Sequence, residues 1–155
     1  MRKAVVAGQF YPYDEDELNE EIERFLENAK PEIKNSYGFV VPHAGHIYSG
    51  QTAAIGFKSA KNLSKVETVI LLGPNHSGMG APIAVSFDEW ETPFGTFFTD
   101  KDFAERLIDG ESFFKDEWAH KEEHSIEVQL PFLYKINPKA KIVCICLSSQ
   151  TKETA

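Results

Sequence analysis

The sequence has little positive charge and no long apolar run. Its 155 residues include 16 Lys and Arg against 24 Asp and Glu, a formal net charge of -8. Nucleic-acid binding by counterion release needs a basic face, and no Lys/Arg cluster is present. No apolar run approaches the roughly 20 residues that span a bilayer, and the apolar part of MRKAVVAGQFYP is too short for a signal peptide. We therefore expect a cytoplasmic protein with neither a nucleic-acid nor a membrane partner.

Cysteine is also scarce, and repeats and low-complexity segments are absent. The two cysteines, Cys144 and Cys146, lie two apart in KIVCICL. Side chains at this spacing on a strand share a face but lack the geometry to bridge each other, so we expect no structural disulfide. With 42% hydrophobic residues, the chain can bury one sizeable core. We predict a single domain over residues 1–155.

Helix signals alternate with strand signals along the chain, which favours an α/β fold. Asp14, with a glutamate three residues later, resembles a capping box and predicts an amphipathic helix over residues 14–30. From Ser49 a small-residue segment predicts a second helix, and Asp100 can cap a third. KEEHSIEVQL is expected to be helical as far as Pro131, where proline would kink or stop the helix.

The apolar runs between these helices predict strands. Residues 37–41 form a short apolar stretch stopped by proline, and residues 66–72 and 141–147 read as strands covered on both faces. We expect these three segments to form a largely parallel central sheet covered by helices. PIAVSF and GTFFT flank the turn signal WETPFG, which predicts a β-hairpin that is structural or forms a wall of a cleft.

All five histidines fall in three segments near predicted strand ends. They are His43 and His46, His76, and His120 and His124. A lone histidine is most often a polar side chain in a turn, but ligands of open α/β sheets bind beyond the carboxyl ends of strands. We expect His43 and His46 in a strand-to-helix loop and His76 just past the next strand. Because neutral imidazole is the commonest side-chain ligand of transition metals, the clustering favours metal or catalytic use.

Five motifs in a fixed order carry a family resemblance: VAGQFYP, VPHAGHIYSG, LLGPNHSG, WETPFG and EEHSIEVQLPFL. Together they resemble the Memo family (mediator of cell motility), which archaea and bacteria also have as AmmeMemoRadiSam system protein B. The resemblance covers essentially the whole chain. It implies an α/β domain similar in fold to class III extradiol dioxygenases, enzymes that hold non-haem Fe(II) with two histidines and a carboxylate.

The resemblance also implies roles for particular residues. His43 of P-H-A-G and His76 of G-P-N-H would bind a transition metal, Fe(II) or Cu with Zn as a third candidate, and His124 of E-H-S would be the acid-base group. The family's third ligand is a cysteine from a C-terminal part that this sequence does not contain, and Cys144 and Cys146 are not at the matching position. We therefore expect an incomplete metal site in the N-terminal part of a longer family domain.

Other histidines and acidic residues have more than one interpretation. His46 stands where family members often carry tyrosine, and would be an ordinary loop histidine or an extra polar group at the cleft. His120 to His124 spell H-K-E-E-H, which fits the H-x-x-E-H pattern of some zinc peptidases. Alternatively, Glu122 and Glu123 would be solvated carboxylates in a first helical turn. Their proximity would also favour the protonated form of His124.

Three functions stay open at this level. The first is a metal-binding redox or dioxygenase-like protein, which would need open coordination positions and a base. The second is a non-enzymatic adaptor that binds a peptide, to which Tyr48, Trp90 and Phe94 would offer contact area unless they belong to the core. The third is a zinc metallopeptidase. The partner would be a small molecule or a peptide.

Overall fold

The computed structural model describes residues 1–149 and 151–152. The chain has an α/β fold with a mostly parallel central sheet flanked by helices. The helices are α1 (Glu15–Asn28), α2 (His46–Ser59), α3 (Lys101–Leu107) and α4 (Leu130–Ile136). The strands are β1 (Thr68–Pro74), β2 (Ile83–Val85), β3 (Trp90–Thr92), β4 (Gly95–Phe97), β5 (Phe114–Lys115) and β6 (Lys141–Leu147). Within the described residues, no helix has the length and apolar character to cross a membrane.

The central sheet has the strand order β1-β6-β2-β5. β1 pairs with β6 in parallel over seven positions, and β2 pairs with β5 in parallel. The pair β2–β6 is antiparallel, so the sheet is mixed but mostly parallel. The predicted strand at 141–147 is confirmed as β6, whereas the strand predicted at 66–72 begins two residues later, at Thr68.

Residues 37–41 are not a strand, so the prediction of a third parallel strand there was wrong. Within the described residues they pair with no strand, and the nearest ladder contact is an isolated bridge from Ser36 to Ala60. The side chains of Tyr37 and Val40 are almost fully exposed. An apolar run becomes a strand only when a neighbouring backbone supplies the hydrogen bonds, and no described strand lies beside residues 37–41 to supply them.

The predicted hairpin exists, but its arms are shorter than the sequence indicated. β3 and β4 pair antiparallel around the two-residue turn Pro93–Phe94. PIAVSF is not an arm of this hairpin, because its middle residues form β2 of the central sheet. The completely buried Trp90 fixes the hairpin to the body of the protein, since its indole N–H donates to Ser86 Oγ at 3.1 Å.

Two helices begin where their capping residues predict. The carboxylate of Asp14 accepts hydrogen bonds from the N–H groups of Asp16 and Glu17, and α1 follows. The carboxylate of Asp100 accepts from Phe103 N and starts α3. These side chains satisfy N–H groups that have no partner within a helix.

α2 begins three residues earlier than the predicted start at Ser49. Its first residue, His46, is fixed by a 2.7 Å hydrogen bond from its N–H to Phe10 O. Ser49 lies inside the first turn, where its hydroxyl donates back to Ala44 O. His46 therefore belongs to a helix rather than to the strand-to-helix loop, which corrects the prediction.

The prediction of a helix that stops at Pro131 was also wrong. Residues 121–126 form no regular helix, a 3₁₀ turn covers Glu127–Gln129, and α4 starts at Leu130. Pro131 is in the first turn of α4, where a missing N–H costs nothing. Upstream, the Glu123 side chain accepts backbone N–H groups that a helix would use, so the segment folds as a turn.

Helices cover the two faces of the sheet unequally. α1, α2 and α4 build the larger core on one face, where the rings of Phe57 and Phe132 stack 5.4 Å apart. α3 covers part of the other face with Val143 and Ile145 of β6. α2 approaches α1 closely because Gly50 has no Cβ, and a Cβ there would lie 2.5 Å from the ring of Phe25.

This contact predicts that Gly50→Ala destabilises the fold. Overpacking costs about 1–3 kcal/mol, which exceeds the gain of at most about 1 kcal/mol from alanine's helix propensity. The matched control is Gly38→Ala, because a Cβ at Gly38 meets nothing within 4 Å. Urea unfolding should show a lower free energy of unfolding for Gly50→Ala and a change within about 0.5 kcal/mol for Gly38→Ala. Equal stability of the two variants would contradict the packing.

Candidate metal centre

Three histidines from distant parts of the chain meet at the carboxyl end of β1. His43 precedes α2, His76 follows β1, and His124 lies before the 3₁₀ turn that leads into α4. One ring nitrogen from each lies within 4.8 Å of the others. The rings of His76 and His124 stack with centroids 4.5 Å apart, and the ring of His43 is 5.1 Å from that of His76.

The spacing of these nitrogens fits a single metal ion after a small movement. Two nitrogens bound to one ion at ~2.1 Å can be at most about 4.2 Å apart. The 4.8 Å bound of the group is wider than the roughly 3.4 Å between two ligands of a tetrahedral ion, so side-chain rotations that shift the ring nitrogens by about an ångström would bring all three into coordination. His43 and His124 are half-buried and His76 is exposed, so the group is open to solvent on one side.

A buried carboxylate orients His76. Glu123 is 2% exposed, and its Oε1 accepts a hydrogen bond from His76 Nδ1 at 2.9 Å while Oε2 accepts from His76 N at 2.5 Å. A carboxylate can only accept here, so Nδ1 carries a hydrogen, and in the neutral ring Nε2 is the nitrogen with the free lone pair. Metal-binding histidines are commonly held in this way, because a fixed tautomer and ring orientation present the free nitrogen to the ion.

Glu123 also accepts the N–H groups of His124 and Ser125, both at 2.8 Å. Burial alone would raise the pKa of this carboxyl. The hydrogen bonds from Ser125 and His76 favour the ionised form more strongly and lower the pKa to about 2. One ionised carboxylate therefore fixes both the His76 loop and the turn that carries His124.

The prediction that Glu122 and Glu123 are both solvated carboxylates of a helical turn is wrong for Glu123. Glu122 is exposed, but Glu123 is buried, and neither lies in a helix. The sequence gives no sign of which of two adjacent glutamates turns inward. The available signal was that a glutamate stands beside a candidate site histidine, since carboxylates often hold such histidines.

His43 and His124 both favour the neutral form. Burial lowers the pKa of His43, and the nearby His76 lowers it further. Burial also lowers the pKa of His124, and its histidine neighbours together with burial outweigh the opposing effect of Glu123. The expected effect of an adjacent glutamate is present for Glu123, but it is outweighed, so the lone pairs of both rings are available near neutral pH.

His46 is neither a loop histidine nor a group at the cleft. It is 2% exposed, and its ring contacts Glu21 Oε1 at 3.0 Å through Nδ1 and Val128 O at 2.8 Å through Nε2. These contacts join α2 to α1 and to the 3₁₀ turn before α4. The ring also stacks on Tyr11 at 5.2 Å. The role of His46 is to hold the helical layer together.

His120 lies apart from the three-histidine group of the described residues. Its Nε2 contacts Ala84 O at 3.0 Å, and burial lowers its pKa to about 4, so it stays neutral. The zinc-peptidase interpretation requires His120 and His124 on one helix. His120 instead ends the short 3₁₀ turn Trp118–His120, and His124 follows in an irregular segment. The H-K-E-E-H match is therefore not a peptidase site.

A buried ion pair that the sequence did not reveal lies next to the turn that carries Glu123. Arg2 Nη1 contacts Glu127 Oε2 at 2.7 Å, and both side chains are almost fully buried. Arg2 also donates to His120 O and Glu123 O, while Glu127 accepts from Val6 N and from Tyr11 Oη. These bonds hold the N-terminal segment against the turn that carries Glu123. The two residues lie far apart in the sequence, so no local pattern connects them.

The two cysteines take no part in this group. Both are free thiols buried in β6, which agrees with the expectation that they form no disulfide. Burial raises the pKa of Cys144, and it raises that of Cys146 to about 12. Buried, protonated thiols are poor metal ligands.

A family model described as Memo-like protein matches residues 2–155. The chain belongs to the Memo family. It is 45% identical over 155 residues to a MEMO1 family protein of Methanosarcina barkeri, covering 99% of this chain and 57% of that protein. It is 43% identical over 158 residues to a MEMO1 family protein of Archaeoglobus fulgidus, covering 100% of this chain and 57% of that protein. The chain thus spans somewhat more than half the length of these Memo relatives.

The low pKa of Glu123 predicts an acid-sensitive step in the stability of this Memo chain. A carboxyl whose folded pKa is about 2, against 4.5 ordinarily, contributes stability that is present above pH 4.5 and is lost as the pH falls towards 2. Glu123→Gln should remove that pH-dependent part and lower stability at pH 7 by about 1–3 kcal/mol, because buried hydrogen bonds are disturbed.

The measurement is urea unfolding of the wild type, Glu123→Gln and Glu122→Gln between pH 7 and pH 2.5. The exposed Glu122 provides the matched control, and its variant should follow the wild type. If the free energy of unfolding of Glu123→Gln falls with decreasing pH in parallel with that of the wild type, Glu123 is not the group that causes the acid sensitivity.

Proposed function

We propose that this Memo-family chain binds a divalent transition-metal ion at the three-histidine group, with His43 and His76 as ligands and His124 as the acid-base group beside the ion. The observation that supports this most directly is the approach of the three ring nitrogens to within 4.8 Å. Imidazole nitrogen suits Fe, Cu, Zn and Ni. Fe(II) and Cu are our first candidates, and Zn is the third.

The chain's own groups are suited to different tasks in this proposal. His76 is oriented by Glu123 and holds the ion through Nε2. His124 has a lowered pKa, so its neutral ring can accept a proton from a bound molecule. When bound, a redox-active ion would supply Lewis-acid or one-electron chemistry. We propose that the protein uses it on a small molecule, in redox or dioxygenase-like chemistry.

The second candidate is a peptide-binding adaptor without chemistry. It is supported by the side chains of Ile47 and Tyr48, which are 81% and 86% exposed near the start of α2. The other two aromatic residues considered from the sequence do not support it. Trp90 is completely buried and Phe94 packs against the larger core. Metal content separates the two functions, because an adaptor needs no ion.

The test of metal binding is calorimetric titration with Fe(II), Cu(II) and Zn²⁺ of the wild type and of the double variant His43→Ala, His76→Ala. The double variant should lose uptake and keep its fold, since neither residue belongs to the buried core. Unchanged affinity in the folded double variant would contradict the ligand assignment. A wild type that takes up none of the three ions would favour the adaptor.

The single variant His124→Ala tests the role of the third histidine. As an acid-base group, His124 is needed in the reaction rather than for holding the ion, so affinity should stay within about tenfold of the wild type while any turnover is lost. The matched comparison is His43→Ala, which should weaken binding much more. An equal loss of affinity in the two single variants would instead make His124 a third ligand, which its position within the group permits.

A further inference from the structure

A strand and a second, irregular segment with apolar side chains line an open groove beside the central sheet. On one side is β1, which pairs with β6 at one edge and with no described strand at the other. On the opposite side are residues 36–41, which are unpaired apart from the bridge at Ser36. The groove between them has a volume of about 520 Å³, and His43 lines it.

β1 has the composition of a strand that is paired on both edges. Its sequence TVILLGP has no charged residue, and its proline is the last position. Along such a strand every second residue directs its N–H and C=O away from the existing neighbour. Natural proteins protect a solvent-exposed edge with charges, proline or bulges, and β1 has no such protection along Thr68–Gly73. Ile70 and Leu72 are also 48% and 66% exposed.

The opposite wall forms no strand and is tied to the rest of the protein at both ends. Ser36 is bridged to Ala60 at one end, and Pro42 O accepts a hydrogen bond from Gln129 Nε2 at the other. Between these points Tyr37 and Val40 are 90% and 101% exposed. Gln129 also lines the groove, and its buried Oε1 has no hydrogen-bond partner. Buried acceptors are usually paired with protein or with water, so this oxygen is open to a donor from a bound segment.

We propose that the groove accepts one additional β-strand, which pairs with the free edge of β1 and lies beside residues 37–41. The strand would come from the polypeptide by which the Memo relatives exceed this chain, since the chain covers 57% of the Methanosarcina barkeri protein. Its chemistry follows from the walls: an uncharged, mainly apolar extended segment that exchanges backbone hydrogen bonds with β1. One end of that strand would reach His43, next to the metal centre.

The experiment supplies that polypeptide in trans. The part of the Methanosarcina barkeri relative that this chain does not match is co-expressed with the chain and purified through a tag on the chain. Hydrogen exchange is then followed at the amides of Thr68–Leu72. The amides in this stretch that point away from β6 should exchange at least about tenfold more slowly in the complex, because paired strand amides open only with the structure around them.

Two exposed groove residues provide the variants, and one exposed residue elsewhere provides the control. Val40→Lys and Leu72→Lys place a charge in the groove, and each should weaken association about tenfold or more. Ile33→Lys is matched in type and exposure, at 72%, but Ile33 does not line the groove. Its affinity should stay within about twofold of the wild type.

A second measurement covers the case in which the two polypeptides do not associate when expressed separately. The same segment is fused to the chain as one polypeptide, and exchange at Thr68–Leu72 is measured again. Fast exchange of these amides in the fusion would overturn the proposal. So would association that Val40→Lys and Leu72→Lys leave intact. The proposal would also be overturned if β1 amides of the chain alone became more protected as the protein concentration rises, because the occupant of the groove would then be a second copy.

Discussion

The site depends on the ionised carboxylate of Glu123 more than on any other single group. It accepts hydrogen bonds from His76 and from the backbone of His124 and Ser125. The loop after β1 and the turn before α4 are 47 residues apart in sequence at these contacts, and this carboxylate joins them. Without it, His76 would have no fixed tautomer and His124 no fixed backbone. The cost of burying the charge is offset because four N–H groups point at it.

A buried ion pair holds the backbone of Glu123 in position. Arg2 and Glu127 form an ion pair within the core, and Arg2 also binds the carbonyl oxygens of His120 and Glu123. Removing one partner of such a pair commonly costs about 3–5 kcal/mol, because the other charge stays buried. The arrangement explains why residues near the start of the sequence contribute to the site. The motif VAGQFYP lies next to EEHSIEVQL, and the ring of Phe10 is 4.7 Å from that of His124.

Local patterns in the sequence were sufficient for much of the fold. The capping carboxylates of Asp14 and Asp100 and the apolar run of β6 depend on neighbours within a few residues, and the structure has each where it was predicted. Residues 37–41 have an equally apolar pattern but no strand partner, and pairing is a property of the neighbouring backbone rather than of the segment. A pattern of side chains cannot report whether that neighbour is present.

In the candidate site, too, some features follow from local sequence and others depend on distant parts of the chain. His43, His76 and His124 stood out because each belongs to a motif near a predicted strand or helix end, although their individual roles stay proposals. Glu123 could not be separated from Glu122, because only the three-dimensional fold decides which of two adjacent side chains faces inward. His46 looked like a site residue by its proximity to His43, but helical geometry turns its ring into the core.

We propose that Glu123 preorganises His76 for a metal ion. The direct measurement is the affinity for Zn²⁺, by calorimetric titration at pH 7, of the wild type, Glu123→Gln and the control Glu122→Gln, each first shown to be folded by circular dichroism. We expect Glu123→Gln to bind Zn²⁺ about 10–100-fold more weakly, as is typical when the partner of a metal-binding histidine is lost, and Glu122→Gln to bind it as the wild type does. Equal affinity of all three proteins would contradict it.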